Sequence, residues 1–319
     1  MSFAAALKVR TSFEIEFDRA GPAFCSDLVE PALHLPVPWL GGHPVEQIFA
    51  AAEPERTAAG FVLRRAGSLL LGCTVQPVGA SLQAATGELY RRLLGVVAGR
   101  PLYRVWNYVP AINEVADGME NYRAFCAGRA EAFESALGAG YRCRLPAASA
   151  VGCTGDALAA VFVAGETAPH HVENPLQVPA YDYPPEHGPR APSFARATVA
   201  GDRGRTLVFV SGTAAIRGHR TVAPGRLLPQ LTCTLENLRR IGREAGVGDQ
   251  LGAGGFERHF KIYVRRAEDH AVVRSCVERA LLEPGDRAIY LRADICRADL
   301  ELEIEATLLA HPTPNQSVI

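Results

Sequence analysis

The sequence contains almost none of the short motifs that indicate a bound metal, a nucleotide or a nucleophilic serine. It has no CxxC, no HExxH, no glycine-rich phosphate loop and no nucleophile elbow. The eight cysteines are widely separated, and no Cys or His spacing is typical of a zinc site. We therefore expect no metal and no cofactor, with most cysteines buried as small core residues.

Charge and hydropathy argue against two further classes of protein. The formal net charge is −1, and the basic residues form no cluster that would fit a nucleic acid or an anionic membrane. No apolar run is long enough to span a bilayer, and the first residues carry charge too early for a signal peptide. The 319 residues, 48% of them hydrophobic, suffice for two domains. We expect a cytoplasmic protein with a small-molecule ligand and neither a nucleic-acid nor a membrane partner.

The same order of predicted elements occurs twice, on either side of a proline-rich segment at Pro175–Pro192. Hydrophobic periods of 2 and 3.6 residues predict strands and helices in the order ββαβαββ in each half. The predicted elements span residues 60–65, 69–75, 81–97, 103–109, 120–137, 147–151 and 158–164, then 193–199, 206–210, 228–241, 260–264, 268–282, 288–295 and 300–308. We predict an α+β fold of two similar halves, residues 1–180 and 181–319, each a mixed sheet with helices on one face.

A row of acidic residues distinguishes the last predicted strand. Glu301, Glu303 and Glu305 alternate with aliphatic residues, so their carboxylates share one face of the strand. When the halves are aligned through Cys153 and Cys296, the corresponding positions of the first half are apolar. They are Leu158, Ala160 and Phe162. The row is either a solvated strand face or the acid of a site that only one half retains.

Three residues of the second half are candidates for chemistry. Glu303 is the central carboxylate, and in a partly apolar cleft it would have a raised pKa and act as a general acid. Cys296 lies seven residues earlier and would assist proton transfer if a nearby cation lowered its pKa; otherwise it is a core residue. Gly212 follows a strand directly, where it either allows close approach to the backbone or simply ends the strand.

Basic and phenolic side chains offer partners for an anionic ligand. Arg196 and Arg287 are candidates because arginine binds carboxylates bidentately, although a surface position is the alternative for each. Tyr181 and Tyr183 lie in the proline-rich segment, from which a phenol reaches a cleft between the halves. Together these residues predict a cleft that holds a small acidic molecule.

Five ordered segments resemble the chorismatases, also called chorismate hydrolases. They are VWNYVPAINE, GCTGD, ENPLQVPAYDYPPEHGPRAPSFARA, SGTAAIRGHRT and DICRADLELEIEA. The C-terminal half alone also resembles the RidA/YjgF group, whose strand ending in EIEA carries a functional glutamate. The resemblance implies a cofactor-independent enzyme that takes chorismate and releases pyruvate, with Glu303 protonating the enol-ether methylene. It also implies groups that hold the two substrate carboxylates, for which Arg196, Tyr183 and Arg287 are the candidates.

The resemblance further implies a product and an assembly. The branch of the family that forms 3-hydroxybenzoate has a cysteine seven residues before the glutamate and a glycine in the SGTA segment, and Cys296 and Gly212 match both. The alternatives are hydrolysis to a dihydroxycyclohexadiene carboxylate, a branch that also forms 4-hydroxybenzoate, a RidA-like imine deaminase and a non-catalytic binder of an aromatic acid. We expect a monomer with its site between the halves; the alternative is a trimer, as RidA-like domains form.

Overall fold

The computed structural model describes residues 13–18, 23–24, 33–49, 53–97 and 99–311. Within these ranges the chain forms two large β-sheets, a small N-terminal sheet and four α-helices. The order ββαβαββ occurs in both halves, and each large sheet contains parallel and antiparallel pairs. The predicted α+β class is confirmed. No helix in the described ranges is long and apolar enough to cross a membrane.

The N-terminal segment forms strands that our sequence patterns did not predict. They are β1 (Phe13–Phe17), β2 (Ala23–Phe24), β3 (Leu33–Leu35), β4 (Trp39–Gly42) and β5 (Val45–Phe49). Four of them make a small sheet in the order β2-β3-β1-β5. β4 instead joins the large sheet of the second half.

The first half builds a six-stranded sheet with two helices on one face. Its elements are β6 (Glu53–Ala58), β7 (Phe61–Ala66), β8 (Leu69–Pro77), α1 (Leu82–Val97), β9 (Leu102–Pro110), β10 (Val115–Ala116), β11 (Met119–Glu120), α2 (Asn121–Leu137), β12 (Ala147–Cys153) and β13 (Ala157–Ala164). The described strands of the sheet lie in the order β12-β9-β13-β8-β7-β6. β9 and β12 are parallel, since α2 carries the chain back between them.

The second half repeats this arrangement around a seven-stranded sheet. Its elements are β14 (His170–Val172), β15 (Ala197–Asp202), β16 (Arg205–Thr213), β17 (Ile216–Arg217), β18 (Arg220–Thr221), α3 (Leu227–Glu244), β19 (Phe256–Val264), α4 (His270–Ala280), β20 (Arg287–Arg292) and β21 (Leu302–Ala310). The described strands lie in the order β14-β15-β16-β21-β19-β20-β4. β4 and β14 precede residue 180, so this sheet takes strands from both sides of the predicted division.

The two large sheets pack against each other, and the helices cover their outer faces. Trp106 and Tyr108 of β9 share one buried core with Phe209 of β16 and Tyr263 of β19. Separate cores lie between each sheet and its own helices. The resulting order of layers is helix, sheet, sheet, helix, which places one face of β21 against the first half.

The faces of β13 correct our alignment of the two halves. The residues that we aligned with the glutamates pack against the helices: Leu158, Ala160 and Phe162. The residues of β13 that face the other sheet are Ala159, Val161 and Val163. On β21 the helix-facing residues are Leu302 and Ile304, so Glu303 faces the first half. The alignment was therefore wrong, because it matched helix-facing residues of β13 with a residue of β21 that faces the other sheet. A shift of one residue exchanges the two faces of a strand.

The edge strand β12 is joined to the second half by side-chain hydrogen bonds. The Ala147 N–H donates to Thr198 Oγ1, and the Ala148 N–H donates to Ser211 Oγ, both at 2.8 Å. These hydroxyl groups satisfy backbone donors that an edge strand leaves without a strand partner. The junction of the halves is thereby fixed directly beside the cavity described next.

Candidate active site

A cavity of about 500 Å³ lies between the two halves. The first half contributes Arg129 and Ser149 to its wall, and the second half contributes Gly212, Cys296 and Glu303. The volume is within the range of about 300–1,000 Å³ that small-molecule sites occupy. The predicted cleft between the halves is present, and it contains all three residues that we proposed for chemistry.

The three glutamates of the row have different surroundings, although each is at most 3% exposed. Glu301 is paired with Arg266 at 3.0 Å, and Glu305 with Arg104 at 2.7 Å. Among the described residues, Oε1 of Glu303 has no hydrogen-bond partner. Glu303 is also the only one of the three that lines the cavity. The unpaired carboxyl group is thus the one that a ligand can reach.

Glu305 belongs to a buried network of opposite charges. Lys261 Nζ lies 3.0 Å from Glu305 Oε1 and 2.6 Å from Glu46 Oε2. The indole N–H of Trp106 donates to Glu305 Oε1 at 2.7 Å. Burial alone would raise the pKa of Glu305, but Lys261 and Arg104 outweigh it and lower the pKa below its ordinary value. Glu305 therefore remains ionised inside the protein.

Glu303 has the opposite protonation behaviour on the same strand face. Burial, followed by the charge of Glu305, raises the pKa of Glu303 to about 8, against the opposing effect of Arg104 and Arg196. No hydrogen bond to Oε1 within the described residues stabilises the carboxylate form. Glu303 consequently carries a proton at neutral pH and can donate it to a ligand in the cavity.

Gly212 creates the space that the Glu303 carboxyl group occupies. The register between β16 and β21 shifts between Val210 and Thr213, which is a β-bulge at Gly212. The Gly212 N–H donates to Ser149 Oγ at 2.9 Å, so the bulge is held against the first half. A Cβ atom at this position would lie 2.0 Å from Glu303 Oε1. The Glu303 carboxyl group can therefore occupy this position only because residue 212 is a glycine. This role differs from that of a glycine that simply ends a strand.

Cys296 lies in the cavity wall as a neutral thiol. Our condition for its participation was a cation that lowers its pKa. Burial and the charge of Glu303 instead raise the pKa of Cys296 to about 12, even though Arg297 and Arg196 act in the opposite direction. The thiol can therefore exchange hydrogen bonds with a ligand, but it is not a thiolate at neutral pH.

Arg196 and Tyr183 form one unit in the cavity wall. Arg196 is 4% exposed and donates to Tyr183 Oη at 2.8 Å and to the carbonyl oxygen of Val178 at 3.2 Å. Its nearest carboxylate is Glu173, at 3.9 Å from Nε. Burial raises the pKa of Glu173 to about 7, against the opposing effect of Arg196. Arg196 is therefore incompletely neutralised at neutral pH and can bind an anion from the cavity.

Arg129 is a functional candidate that our sequence analysis missed. It is 1% exposed, lines the cavity and forms no ion pair with a carboxylate among the described residues. Its Nε has no hydrogen-bond partner there. The signal was available, because Arg129 lies three residues after Cys126 and four before Phe133, on the buried stripe of α2. A buried arginine without an acidic partner is well suited to bind a ligand carboxylate.

Tyr181 and Arg287 lie outside the cavity. Tyr181 packs against the helix-facing core of the first half and lines a separate surface depression. Arg287 is exposed at the start of β20, where Nη1 lies 3.4 Å from Gln47 Oε1. The structure therefore brings Glu303, Cys296, Gly212, Arg196 and Tyr183 together and leaves these two predicted ligand contacts apart.

Comparisons with known proteins relate both halves to one family. Residues 48–164 match the family model described as chorismatase FkbO/Hyg5-like, N-terminal. A 3-hydroxybenzoate synthase from Streptomyces hygroscopicus is 44% identical over 65% of this chain and 63% of its own length. A chorismatase from Streptomyces rapamycinicus is 38% identical over 78% of this chain and 77% of its own.

A solved structure extends the similarity to almost the whole chain. A crystal structure of a chorismatase matches with a TM-score of 0.83 and 32% identity, covering 94% of both chains. At this coverage the match includes both large sheets.

Proposed function

This chain belongs to the chorismatase family, and on that basis we propose that it converts chorismate to 3-hydroxybenzoate and pyruvate. The observation that carries the proposal is Glu303, which is buried in the wall of a cavity that also contains buried arginines. Its Oε1 has no hydrogen-bond partner among the described residues, and its pKa is raised to about 8. An enol ether reacts once a proton reaches its methylene carbon, and Glu303 holds such a proton at neutral pH.

The arginines account for recognition of a dicarboxylate. Chorismate carries one carboxylate on its ring and one on its enolpyruvyl group. Arg129 and Arg196 lie in different halves of the chain and both line the cavity, so each can take one carboxylate through charge-assisted hydrogen bonds. Tyr183 fixes the Arg196 guanidinium group by accepting its hydrogen bond at 2.8 Å. Two fixed cations orient the enol ether before the proton moves.

The proposed reaction balances without an oxidant or added water. Glu303 donates its proton to the methylene carbon, which produces an oxocarbenium-like centre. The C4 hydroxyl of the substrate attacks C3 while the C3–O bond to the pyruvyl group breaks, and pyruvate leaves. The proton that the hydroxyl loses balances the one taken from Glu303. The arene-oxide-like intermediate then opens at C4, loses its C3 hydrogen as a proton and regains a proton on oxygen, giving 3-hydroxybenzoate.

Gly212 and Cys296 support the aromatising product over simple hydrolysis. Because Gly212 has no side chain, the Glu303 carboxyl group and the ligand ring can occupy space that a methyl group would take. Cys296 is a neutral thiol in the same wall, suited to accept and pass a hydrogen bond while the intermediate opens. The 3-hydroxybenzoate synthase from Streptomyces hygroscopicus is 44% identical, which agrees with this choice of branch.

Product analysis tests the proposal directly. Purified protein is incubated with chorismate, and the products are resolved by liquid chromatography beside the same reaction with Glu303→Gln and with no protein. We expect 3-hydroxybenzoate and pyruvate in equal amounts from the parent protein only. Unchanged chorismate would refute the activity, and a dihydroxycyclohexadiene carboxylate as sole ring product would refute the branch. Cys296→Ala should raise the proportion of that diol.

A further inference from the structure

A second cluster of ligand atoms lies at the edge of the cavity. Glu186 and His187 come from the short turn Pro185–His187, and His219 lies between β17 and β18. His187 Nε2 is 3.0 Å from His219 Nδ1. Glu186 Oε1 is 3.4 Å from His219 Nδ1 and 3.7 Å from His187 Nε2. One ligand atom from each of the three side chains lies within 4.8 Å of the other two.

These separations match a tetrahedral metal site. Zinc binds imidazole nitrogen and carboxylate oxygen at about 2.0–2.2 Å, which places neighbouring tetrahedral ligands about 3.4 Å apart. The three measured separations lie on both sides of this value. Two imidazoles and one carboxylate leave a fourth position for water or an anion, as in zinc sites with three protein ligands.

Aromatic packing holds the two imidazoles in place. The Tyr183 ring lies 5.1 Å from the His187 ring and 6.5 Å from the His219 ring, measured between centroids. The two histidine side chains are 20% and 24% exposed, whereas Glu186 is 60% exposed and can adjust its position. Tyr183 is itself fixed by Arg196. Two ligands are thus positioned in advance, which reduces the entropy lost when an ion binds.

We propose that Glu186, His187 and His219 bind one divalent transition-metal ion, with Zn²⁺ as the physiological candidate. Imidazole ligands select this class, whereas Mg²⁺ and Ca²⁺ require several oxygen ligands and only one carboxylate is present. Arg123 and Arg297 also line the cavity, and their positive charges oppose the binding of any cation, so the affinity of the site depends on its nitrogen ligands. The inference does not depend on the reaction proposed above, in which no step requires a metal.

Spectroscopy with Co²⁺ tests the site without any assay of activity. The full chain is prepared without a polyhistidine tag, treated with a chelator and titrated with Co²⁺. We expect the visible absorption bands of four- or five-coordinate Co²⁺, saturating at one ion per chain and removed by one equivalent of Zn²⁺. Calorimetry should give the same stoichiometry for Zn²⁺ and no binding of Mg²⁺.

Variants locate the ion. His187→Ala and His219→Ala should each weaken Zn²⁺ binding by at least 10- to 100-fold, about the loss caused by removing a residue that merely supports a ligand. Glu186→Gln should weaken it in the same direction. His170→Ala is the matched control, because His170 is exposed on β14 and absent from the cluster, and it should bind Zn²⁺ like the parent.

Three outcomes would overturn the proposal. They are no visible Co²⁺ absorption, equal affinity in the parent and His219→Ala, and a thiolate-to-Co²⁺ charge-transfer band, which would locate the ion at a cysteine. Circular dichroism verifies that each variant is folded. If His219→Ala is unfolded, His219→Asn retains a polar side chain of similar size without an imidazole, and the same loss of affinity is expected for it.

Discussion

A methyl group on Gly212 would lie 2.0 Å from Oε1 of Glu303 and 2.4 Å from its Cδ, so the two residues share one space. The closest atoms belong to the end of a flexible side chain. The conflict is therefore relieved by rotation of the carboxyl group and not by unfolding of the strand. The position of the acid depends on a glycine in the neighbouring strand.

Gly212→Ala should therefore reduce turnover while the fold is retained. A displacement of about 1 Å in a reacting group lowers a rate by about 100-fold, and we expect a loss of this order in kcat. Gly95→Ala is the control, because Gly95 is exposed in α1 with no atom near its added methyl group. It should retain full turnover and gain about 0.5–1 kcal/mol in free energy of unfolding. Equal turnover of the two variants would contradict the shared space.

Glu303→Gln should lower kcat by about 100- to 10,000-fold, the usual contribution of a general acid, with little change in KM. The matched control is Glu301→Gln, two residues earlier in the acidic row. Glu301 is paired with Arg266 at 3.0 Å and is not part of the cavity wall, so its turnover should stay close to that of the parent. Steady-state kinetics with chorismate decides the matter. A similar loss in both variants would point to a general effect of the acidic row.

The pH dependence of turnover should follow the proton on Glu303. The general acid must be protonated, and its pKa is raised to about 8. We expect kcat/KM to be constant below this pH and to fall about tenfold per pH unit above it, because kcat/KM reports the pKa of the free enzyme. Rates measured between pH 6 and pH 10 at chorismate concentrations well below KM check this. A rate that rises through pH 8 would require Glu303 to act as a base.

The pH dependence of the free energy of unfolding tests the raised pKa of Glu303 independently of turnover. The pKa of Glu303 is raised in the folded state relative to its ordinary value of 4.5, so between pH 4.5 and pH 8 the unfolded chain releases a proton that the folded chain retains. This residue therefore reduces the free energy of unfolding as the pH rises through that window. Glu303→Gln has no such proton. Its stability relative to the parent should increase from pH 5 to pH 8 in urea unfolding and then level off.

Arg129→Lys should raise KM for chorismate and lower kcat/KM by about 10- to 100-fold, because lysine keeps the charge but loses the bidentate geometry. Arg287→Lys is the comparison that separates the cavity from the surface. Arg287 is exposed and lies beside Gln47, so its replacement should leave both constants unchanged. A larger effect at Arg287 than at Arg129 would refute the assignment of the carboxylate site.

Lys261→Met should destabilise the protein by about 3–5 kcal/mol, because Glu46 and Glu305 would remain buried without their shared cation. Urea unfolding at pH 7 measures the loss. Arg142→Met serves as the control: the Arg142–Asp182 pair is 55% and 47% exposed, and its removal should cost less than about 1 kcal/mol. Comparable losses would mean that the buried network does not stabilise the junction of the sheets.

The elements of both halves were predictable because their hydrophobic patterns are strong and local. α3, for example, buries Leu231, Thr234, Leu238 and Ile241 at helical spacing, and β21 begins with alternating aliphatic and acidic residues. β4 was not predictable in this way, since Trp39–Gly42 becomes a strand only by pairing with β20, some 250 residues later. The sequence also did not show which residues of β13 face the helices and which face the other sheet. Both faces of β13 are buried and every residue is apolar, so no alternation of polar and apolar residues distinguishes them.

The sequence predicted the acidic residue of the site but only some of its basic residues. Glu303 stood out because charged residues on a strand of otherwise aliphatic residues are uncommon. Sequence alone did not reveal that Glu301 and Glu305 are paired while Glu303 is not, since their partners Arg266 and Arg104 come from elsewhere in the fold. The cluster around His219 was invisible for the same reason, because its ligands lie 32 residues apart in two unrelated turns.

The acid at Glu303 and the cation at Arg129 face one cavity from opposite halves of a single polypeptide. Because the two halves are covalently connected, the effective concentration of one wall relative to the other does not depend on the protein concentration. Dilution to nanomolar levels, which would separate walls belonging to different subunits, leaves both walls of this cavity together.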